Sequence, residues 1–199
     1  MGEKDLDTLR SGFLLRLLFG SAMGKETSYE LASRRAYRDL CRTLAVKGVP
    51  GAAKARERCA KAVAEGLREA LAPAPLTWDG YAEKHQALCD ELVGIYQAEA
   101  PACGFTYGHT QKWVNMAAKY LVVLGVREAE SSIGALHVPI DSVVLKTVAM
   151  AKSEGGLGVE SPFGKWTAIN DYPAYLAYEE SIRRSLGEGV LPLVWKFAV

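Results

Sequence analysis

The sequence predicts an all-α protein, a single orthogonally packed helical domain of about seven helices that occupies residues 1–199. Apolar residues recur at spacings of three and four in most segments, which is the period of an amphipathic helix. Glycine and proline interrupt the chain between these segments and mark helix ends. With 49% hydrophobic and 24% charged residues, the chain is long and apolar enough for one sizeable core.

Four helices are predicted in the first half of the chain. They extend from residue 6 to about 20 or 24, from 28 to about 46, from 51 to 72 and from 77 to 100. Thr27 or Ser28 is placed to cap the second helix, and Thr77 is placed to cap the fourth. His85 follows Tyr81 by four residues, so we expect this histidine to pack among aromatic rings.

Three helices are predicted in the second half of the chain. The first runs from residue 110 to 124 and ends at Gly125. The second is capped by Asp141 and the third by Asp171. The buried side of the second helix is expected to consist of Val143, Val144, Leu145 and Val148.

The segments between these helices are predicted to be irregular. Residues 126–136 form a polar connection, and residues 153–164 are rich in glycine and typical of a loop. Residues 190–199 are short and apolar. They are expected to form either a tail that docks on the core or a small strand.

Charge is distributed unevenly along the chain, although its net value is only +1. Residues 1–72 hold 14 basic against 9 acidic side chains, whereas residues 73–199 hold 10 against 14. The basic half can attract the acidic half, a polyanion, an acidic protein partner or a second copy of the chain. The total balance is far from that of a dedicated nucleic-acid-binding domain.

The expected compartment follows from the N-terminal stretch and the cysteines. Acidic residues precede FLLRLLFG and an arginine interrupts it, a charge pattern unlike a secretory signal. No apolar run approaches the roughly 20 residues of a membrane span. The four cysteines lack the paired spacing of a zinc or redox site. We therefore expect a cytoplasmic protein without membrane association, cofactor or metal.

One face of the second helix is rich in arginine. Arg34, Arg38 and Arg42 follow one another at four-residue intervals, so their guanidinium groups stack along the helix. Planar groups of this kind bind phosphate or carboxylate. Glu30 and Asp39 lie within reach of these arginines, so a solvated face with internal ion pairs is the alternative interpretation.

The stretch from residue 104 to 145 holds the candidate chemistry. The sequence has no phosphate-binding P-loop, dinucleotide-binding glycine fingerprint, HExxH motif or GxSxG motif. What remains is Lys112 on one predicted helix and Asp141 at the start of the next long one. The order of loop, Lys-x-x-Asn helix (Lys112, Asn115), connection and Val-Pro-Ile-Asp turn resembles the helix-hairpin-helix DNA glycosylase superfamily. The pattern GHxQKxxNxxxKYL, HxPID and Trp is also similar to that of small uncharacterised microbial helical proteins, and this second resemblance brings no known activity with it.

The resemblance to the glycosylases implies roles for particular residues. In that superfamily a lysine near a helix start is the nucleophile of the bifunctional members, and an aspartate in the following turn assists the sugar chemistry. By resemblance, Lys112 attacks the sugar carbon as a Schiff-base amine, and Asp141 stabilises the cation that develops there. Contacts to the DNA backbone are expected from Gly104, Gly108, His109 and Gln111. A stacking contact with a base is expected from Tyr107. Attraction to DNA that does not depend on sequence is expected from Arg34, Arg38 and Arg42.

The same residues also have structural interpretations. Asp141 is suited to cap a helix whether or not it is catalytic, and Lys112 can extend along apolar surface to solvent. His109 and Gln111 can close a helix N-terminus through hydrogen bonds. The second functional hypothesis is therefore a non-enzymatic helical protein-interaction domain. The enzymatic hypothesis alone requires the Lys112 amine and the Asp141 carboxylate to face one cleft.

Overall fold

The computed structural model describes residues 6–20 and 26–198, which form nine α-helices and no β-strand. The all-α fold class is confirmed, with nine helices in this part of the chain where about seven were expected. Numbered in chain order, they are α1 (Leu6–Phe19), α2 (Ser28–Leu40), α3 (Ala52–Leu71), α4 (Trp78–Glu99), α5 (Tyr107–Val123), α6 (Arg127–Ser131), α7 (Ser142–Ala149), α8 (Tyr172–Ser185) and α9 (Pro192–Ala198).

Two short helices lie where the sequence predicted none. α6 lies in the expected polar connection, where Glu128 and Glu130 in its first turn complement the helix dipole. α9 replaces the expected tail or strand, and it starts at Pro192, whose fixed φ suits the first position of a helix. α2 ends earlier than predicted, because the backbone tightens into a 3₁₀ turn at Cys41–Thr43.

Side-chain caps begin several helices as predicted. Thr27 accepts a hydrogen bond from the Glu30 N–H, and the Glu30 carboxylate accepts one from the Thr27 N–H at 2.8 Å. Thr77 caps α4, Asp141 caps α7 and Asp171 caps α8, each through the N–H three residues later. These caps satisfy donors that a helix N-terminus otherwise leaves without a partner.

Helix α5 is the centre of the protein. Residues 107–118 are all buried, so this part of the helix has no side that faces solvent. It packs against α2, α3, α4 and α6, and the Trp113 indole N–H donates to the Ser33 carbonyl at 2.9 Å. Because burial of an unpaired polar group is unfavourable, the polar side chains of α5 require partners inside the protein.

Some apolar side chains predicted to be buried face solvent instead. Val143 is 52% exposed, because a helix that buries Val144 and Val148 turns the preceding position away by about 100°. On α1 the inward side consists of Leu15, Leu18 and Phe19. Five other apolar side chains of α1 face outward and are between 53% and 67% exposed: Leu6, Leu9, Phe13, Leu14 and Leu17.

Candidate functional site

A buried, non-helical segment at residues 135–140 lies against α5. The Gln111 side-chain amide donates to the Ile140 carbonyl at 2.8 Å and accepts from the Ile140 N–H at 3.1 Å. One turn later, the Asn115 amide donates to the Val138 carbonyl at 3.3 Å. Buried backbone groups need such partners, so these two side chains replace the neighbouring strand that the segment lacks.

This pairing brings Lys112 and Asp141 together, since they directly follow Gln111 and Ile140 in the chain. The Lys112 Nζ donates to the Asp141 Oδ2 at 2.5 Å, and the Asp141 Oδ1 accepts from the Val144 N–H at 2.9 Å. The Lys112 side chain is only 7% exposed. One carboxylate therefore caps α7 and also neutralises a buried ammonium group.

The environment of Asp141 favours its charged form. Burial by itself would raise the pKa of this carboxyl. The charge and hydrogen bond of Lys112, the Val144 N–H and the charge of Lys196 outweigh burial, so the pKa lies below its ordinary value. Asp141 is therefore a carboxylate at neutral pH.

A cleft of about 550 Å³ adjoins the pair through Trp166 and through Ser142, the neighbour of Asp141. The Lys112 Nζ lies 5.8 Å from the centroid of a Trp166 ring. Two of the residues that line the cleft are lysines and none is acidic. The full set of residues that line the cleft is Thr43, Ser142, Leu145, Lys146, Ser161, Phe163, Gly164, Lys165, Trp166 and Thr167.

The arginine face lies elsewhere, on a groove of about 850 Å³ between α2 and α3. Arg34 and Arg38 line this groove, and Arg34 is paired with Glu26. Arg42 is exposed in the 3₁₀ turn that follows α2. The groove also contains four glutamates, so its charge is mixed, whereas the smaller cleft has only basic lining residues among its charged groups.

Of the five residues from the 104–111 stretch that were expected to contact DNA, only Gly104 is exposed. The Tyr107 hydroxyl donates to the Asp90 carboxylate, and the Gly108 N–H donates to the Ile169 carbonyl at 3.0 Å. Gln111 has no exposed surface. In this conformation all three residues, Tyr107, Gly108 and Gln111, are buried and make contacts within the protein. They are therefore not accessible to a nucleic acid.

His109 closes the N-terminus of α5, as its structural interpretation predicted. Its Nδ1 accepts from the Thr106 N–H at 3.1 Å, which is the role of the glutamate in an ordinary capping box. Its Nε2 lies 3.2 Å from the Thr43 hydroxyl. Burial lowers the pKa of His109 to about 4 despite a hydrogen bond from the imidazole to the Thr43 backbone, which acts in the opposite direction. The imidazole is therefore neutral at neutral pH.

His85 packs among aromatic rings, as predicted, with its ring centroid 5.7 Å from that of Tyr81 and 5.3 Å from that of Tyr175. The Tyr175 hydroxyl lies 2.9 Å from the His137 Nδ1 and accepts from the Asn115 amide at 2.8 Å. Burial lowers the pKa of His85 to about 3 and holds that of His137 well below its ordinary value. Both imidazoles are therefore neutral at neutral pH.

Glu179 is a buried residue of α8 that no sequence pattern singled out, and it contacts the residue after His137. Its Oε2 accepts from the Val138 N–H at 3.1 Å, and burial raises the pKa of its carboxyl far above the ordinary range. The spacing of four residues between Tyr175 and Glu179 on one side of α8 was the available signal. Both residues contact the 135–140 segment, Glu179 at Val138 and Tyr175 at His137.

No group of three His, Cys, Asp or Glu side chains within residues 6–20 and 26–198 is placed to bind a metal ion. Across the same residues, no helix combines the length and apolar character needed to cross a membrane. Comparison with protein-family models, curated proteins and solved structures finds no match for this chain.

Proposed function

We propose that this protein binds DNA and acts on the deoxyribose of an abasic site, with Lys112 as the amine and Asp141 as the carboxylate. The contact between the Lys112 Nζ and the Asp141 Oδ2 beside a basic cleft carries the proposal. The two groups meet next to the lining residues Trp166 and Ser142, and neither group lines the cleft itself. The enzymatic hypothesis requires both groups to face one cleft, and a protein-interaction domain has no such requirement.

The chemistry of the cleft supports a phosphate-bearing sugar as the ligand. Its volume of about 550 Å³ falls in the usual range of ligand sites, roughly 300–1,000 Å³. Lys146 and Lys165 attract phosphate groups, while Phe163 and Trp166 offer aromatic surface on which a base stacks. The absence of acidic lining residues removes the main source of repulsion against DNA.

The proposed reaction begins when a substrate aldehyde displaces the carboxylate from Lys112. The ammonium group loses a proton to water, and the neutral amine adds to C1′ of the ring-opened sugar. Loss of water gives a protonated Schiff base. Water then takes a C2′ proton, the electrons of the C–H bond form a C2′=C3′ double bond, and the 3′-phosphate leaves with the electrons of its C–O bond. Asp141, with its lowered pKa, stays ionised and stabilises the iminium cation.

Borohydride trapping on a duplex with one abasic site tests this proposal. Reduction of the iminium joins protein and DNA covalently, so wild type should give a cross-linked product that Lys112→Met does not. Lys165→Met, at the cleft, should keep the cross-link but bind with a smaller salt dependence, because one phosphate contact is lost. Lys47→Met, an exposed change outside the cleft, should resemble wild type. Equal trapping by wild type and Lys112→Met would disprove the assignment of the amine.

A second candidate function is protein interaction, and the outward apolar side of α1 favours it. Contiguous exposed apolar surface of this kind often marks a contact site. Sedimentation of wild type and Phe13→Glu separates the candidates. Self-association that Phe13→Glu abolishes, together with an absence of DNA binding at low salt, would favour the interaction domain.

A further inference from the structure

Lys112 shares its surroundings with two further lysines. Lys119 follows it by seven residues on α5, which places both on one side of the helix about 10 Å apart. Lys196 lies on the inward side of α9 and is only 7% exposed. The Lys119 Nζ is 4.7 Å from the Phe197 ring centroid, so α9 lies against this side of α5.

The cluster of Lys112, Lys119 and Lys196 carries more positive than negative charge. Asp141 is bonded to Lys112, whereas Lys119 and Lys196 form no ion pair with any carboxylate of residues 6–20 and 26–198. The cluster therefore has three ammonium groups and one carboxylate, an excess of two positive charges.

Among residues 6–20 and 26–198, the surroundings of the cluster do not remove this excess. Asp39 also attracts Lys119, but its two oxygens are bonded to Arg35 and to the Tyr120 hydroxyl. Burial and the charge of Lys196 lower the pKa of Lys119. Burial likewise lowers the pKa of Lys196, with a contribution from Lys112 that opposes the attraction of Asp141. Ammonium groups that repel one another in a poorly hydrated place are unfavourable without a counter-charge.

The position of Lys196 is hard to explain by packing. It occupies an inward position of α9 beside the buried residues Pro192 and Leu193, where an apolar side chain of similar length would avoid the repulsion. The buried ammonium group of Lys196 is a charged hydrogen-bond donor that has no carboxylate partner among the described residues. Perturbed, uncompensated charges of this kind are typical of binding sites.

We propose that Lys112, Lys119 and Lys196 together bind the oxygens of one phosphate group. A phosphate dianion balances the excess of two positive charges and has enough acceptor oxygens for three ammonium donors. The ligand is either a free phosphate or phosphomonoester, which supplies this dianion, or a phosphodiester of a nucleic-acid backbone, whose single negative charge balances half of the excess. The inference does not depend on the sugar chemistry proposed above, because phosphate binding uses ammonium groups that keep their protons.

The test measures thermal unfolding and calorimetric binding of the full chain with inorganic phosphate, at ionic strength matched with sodium chloride. Phosphate should raise the Tm of wild type above its value in chloride. Lys119→Met and Lys196→Met should each bind phosphate about tenfold more weakly or worse, since each loses one charged hydrogen bond. Both variants should fold, because methionine fills the space without the repulsion. Lys47→Met, exposed and outside the cluster, should bind like wild type.

Dimethyl phosphate distinguishes the two sources of the ligand. Binding of both phosphate and dimethyl phosphate supports a nucleic-acid backbone, and binding of phosphate alone supports a free phosphate or monoester. Equal Tm values in phosphate and chloride overturn the inference, as does phosphate binding that Lys119→Met and Lys196→Met both retain. Phosphate binding by a protein that gives no borohydride product would remove the sugar chemistry and leave this site in place.

Discussion

Gln111 binds the backbone of Ile140 through both groups of its side-chain amide. Lys112 directly follows Gln111, and Asp141 directly follows Ile140. This one amide therefore fixes how α5 and the 135–140 segment are aligned at the candidate site. The ion pair then forms at a position that the neighbouring hydrogen bonds have already fixed. Its geometry depends on a buried polar network as much as on the charges themselves.

Gln111→Glu should destabilise the protein by about 3 kcal/mol or more. The substitution removes the donor to Ile140 and to Gly108 and places a carboxylate where no cation pairs with it. Urea unfolding at neutral pH measures the change. Gln86→Glu is the matched control, since Gln86 is exposed on α4, and it should change stability by less than about 0.5 kcal/mol. A loss as small as that of the control would show that the amide does not fix the 135–140 segment.

The ion pair should show strong coupling in a double-mutant cycle of Lys112→Met and Asp141→Asn. Asparagine still caps α7, so Asp141→Asn mainly leaves the buried ammonium group without its counter-charge, at an expected loss of about 2 kcal/mol. The double variant removes both charges and should recover most of that loss. Urea unfolding of the four proteins gives the coupling energy. Additive single losses would mean that solvent screens the pair.

Stability should fall as pH falls below about 6.5, because the three histidines are held neutral. Their folded-state pKa values lie below the unfolded value, so the unfolded chain binds up to three more protons in this range. Glu179 has a raised pKa and acts in the opposite direction above about pH 4.5, which leaves a net difference of about two protons near pH 5. Stability should therefore change by about 2–3 kcal/mol per pH unit there.

Urea unfolding of variants across this pH range checks the assignment. His85→Phe should reduce the slope by about one proton, because the aromatic surroundings accept a ring that does not titrate. Gln86→His adds a histidine at an exposed position and should leave the slope unchanged. An unchanged slope in His85→Phe would contradict the neutral, buried state of His85.

Gly108→Ala should destabilise the protein by about 3 kcal/mol, because a methyl group there has no space. A Cβ at this position would lie 2.0 Å from the Trp166 carbonyl oxygen. Gly94→Ala on α4 is the matched control, since nothing lies within 4 Å of its Cβ position and alanine favours helix. It should raise stability by about 0.5–1 kcal/mol. Thermal unfolding of both variants decides, and a neutral Gly108→Ala would require the Trp166 turn to be free to move.

The helix starts were predictable from sequence because a cap depends on one side chain and a backbone group three residues away. Thr77, Asp141 and Asp171 are all caps in the structure, as predicted. The early end of α2 and the outward position of Val143 depend on which neighbours pack against them. Helical periodicity alone does not contain that information.

The candidate site was predictable only in part. Lys112 and Asp141 were the candidates that remained in the absence of known motifs, and a family resemblance then implied a shared site. They are in contact, while their chemical roles stay predictions. The sequence did not predict that His109 and Gln111 are buried, because polar residues on a helix ordinarily indicate a side that faces solvent. Residues distant in sequence supply partners for this burial, with Thr43 next to His109 and Ile140 bonded to Gln111.

The Tyr175 hydroxyl joins side chains from three distant parts of the chain, at residues 115, 137 and 175. During synthesis from the N-terminus, α5 and the 135–140 segment leave the ribosome long before α8. Until Tyr175 emerges, Asn115 and His137 lack this partner and keep their water. We therefore expect the centre of the protein to become dry and rigid only when the last quarter of the chain has been translated.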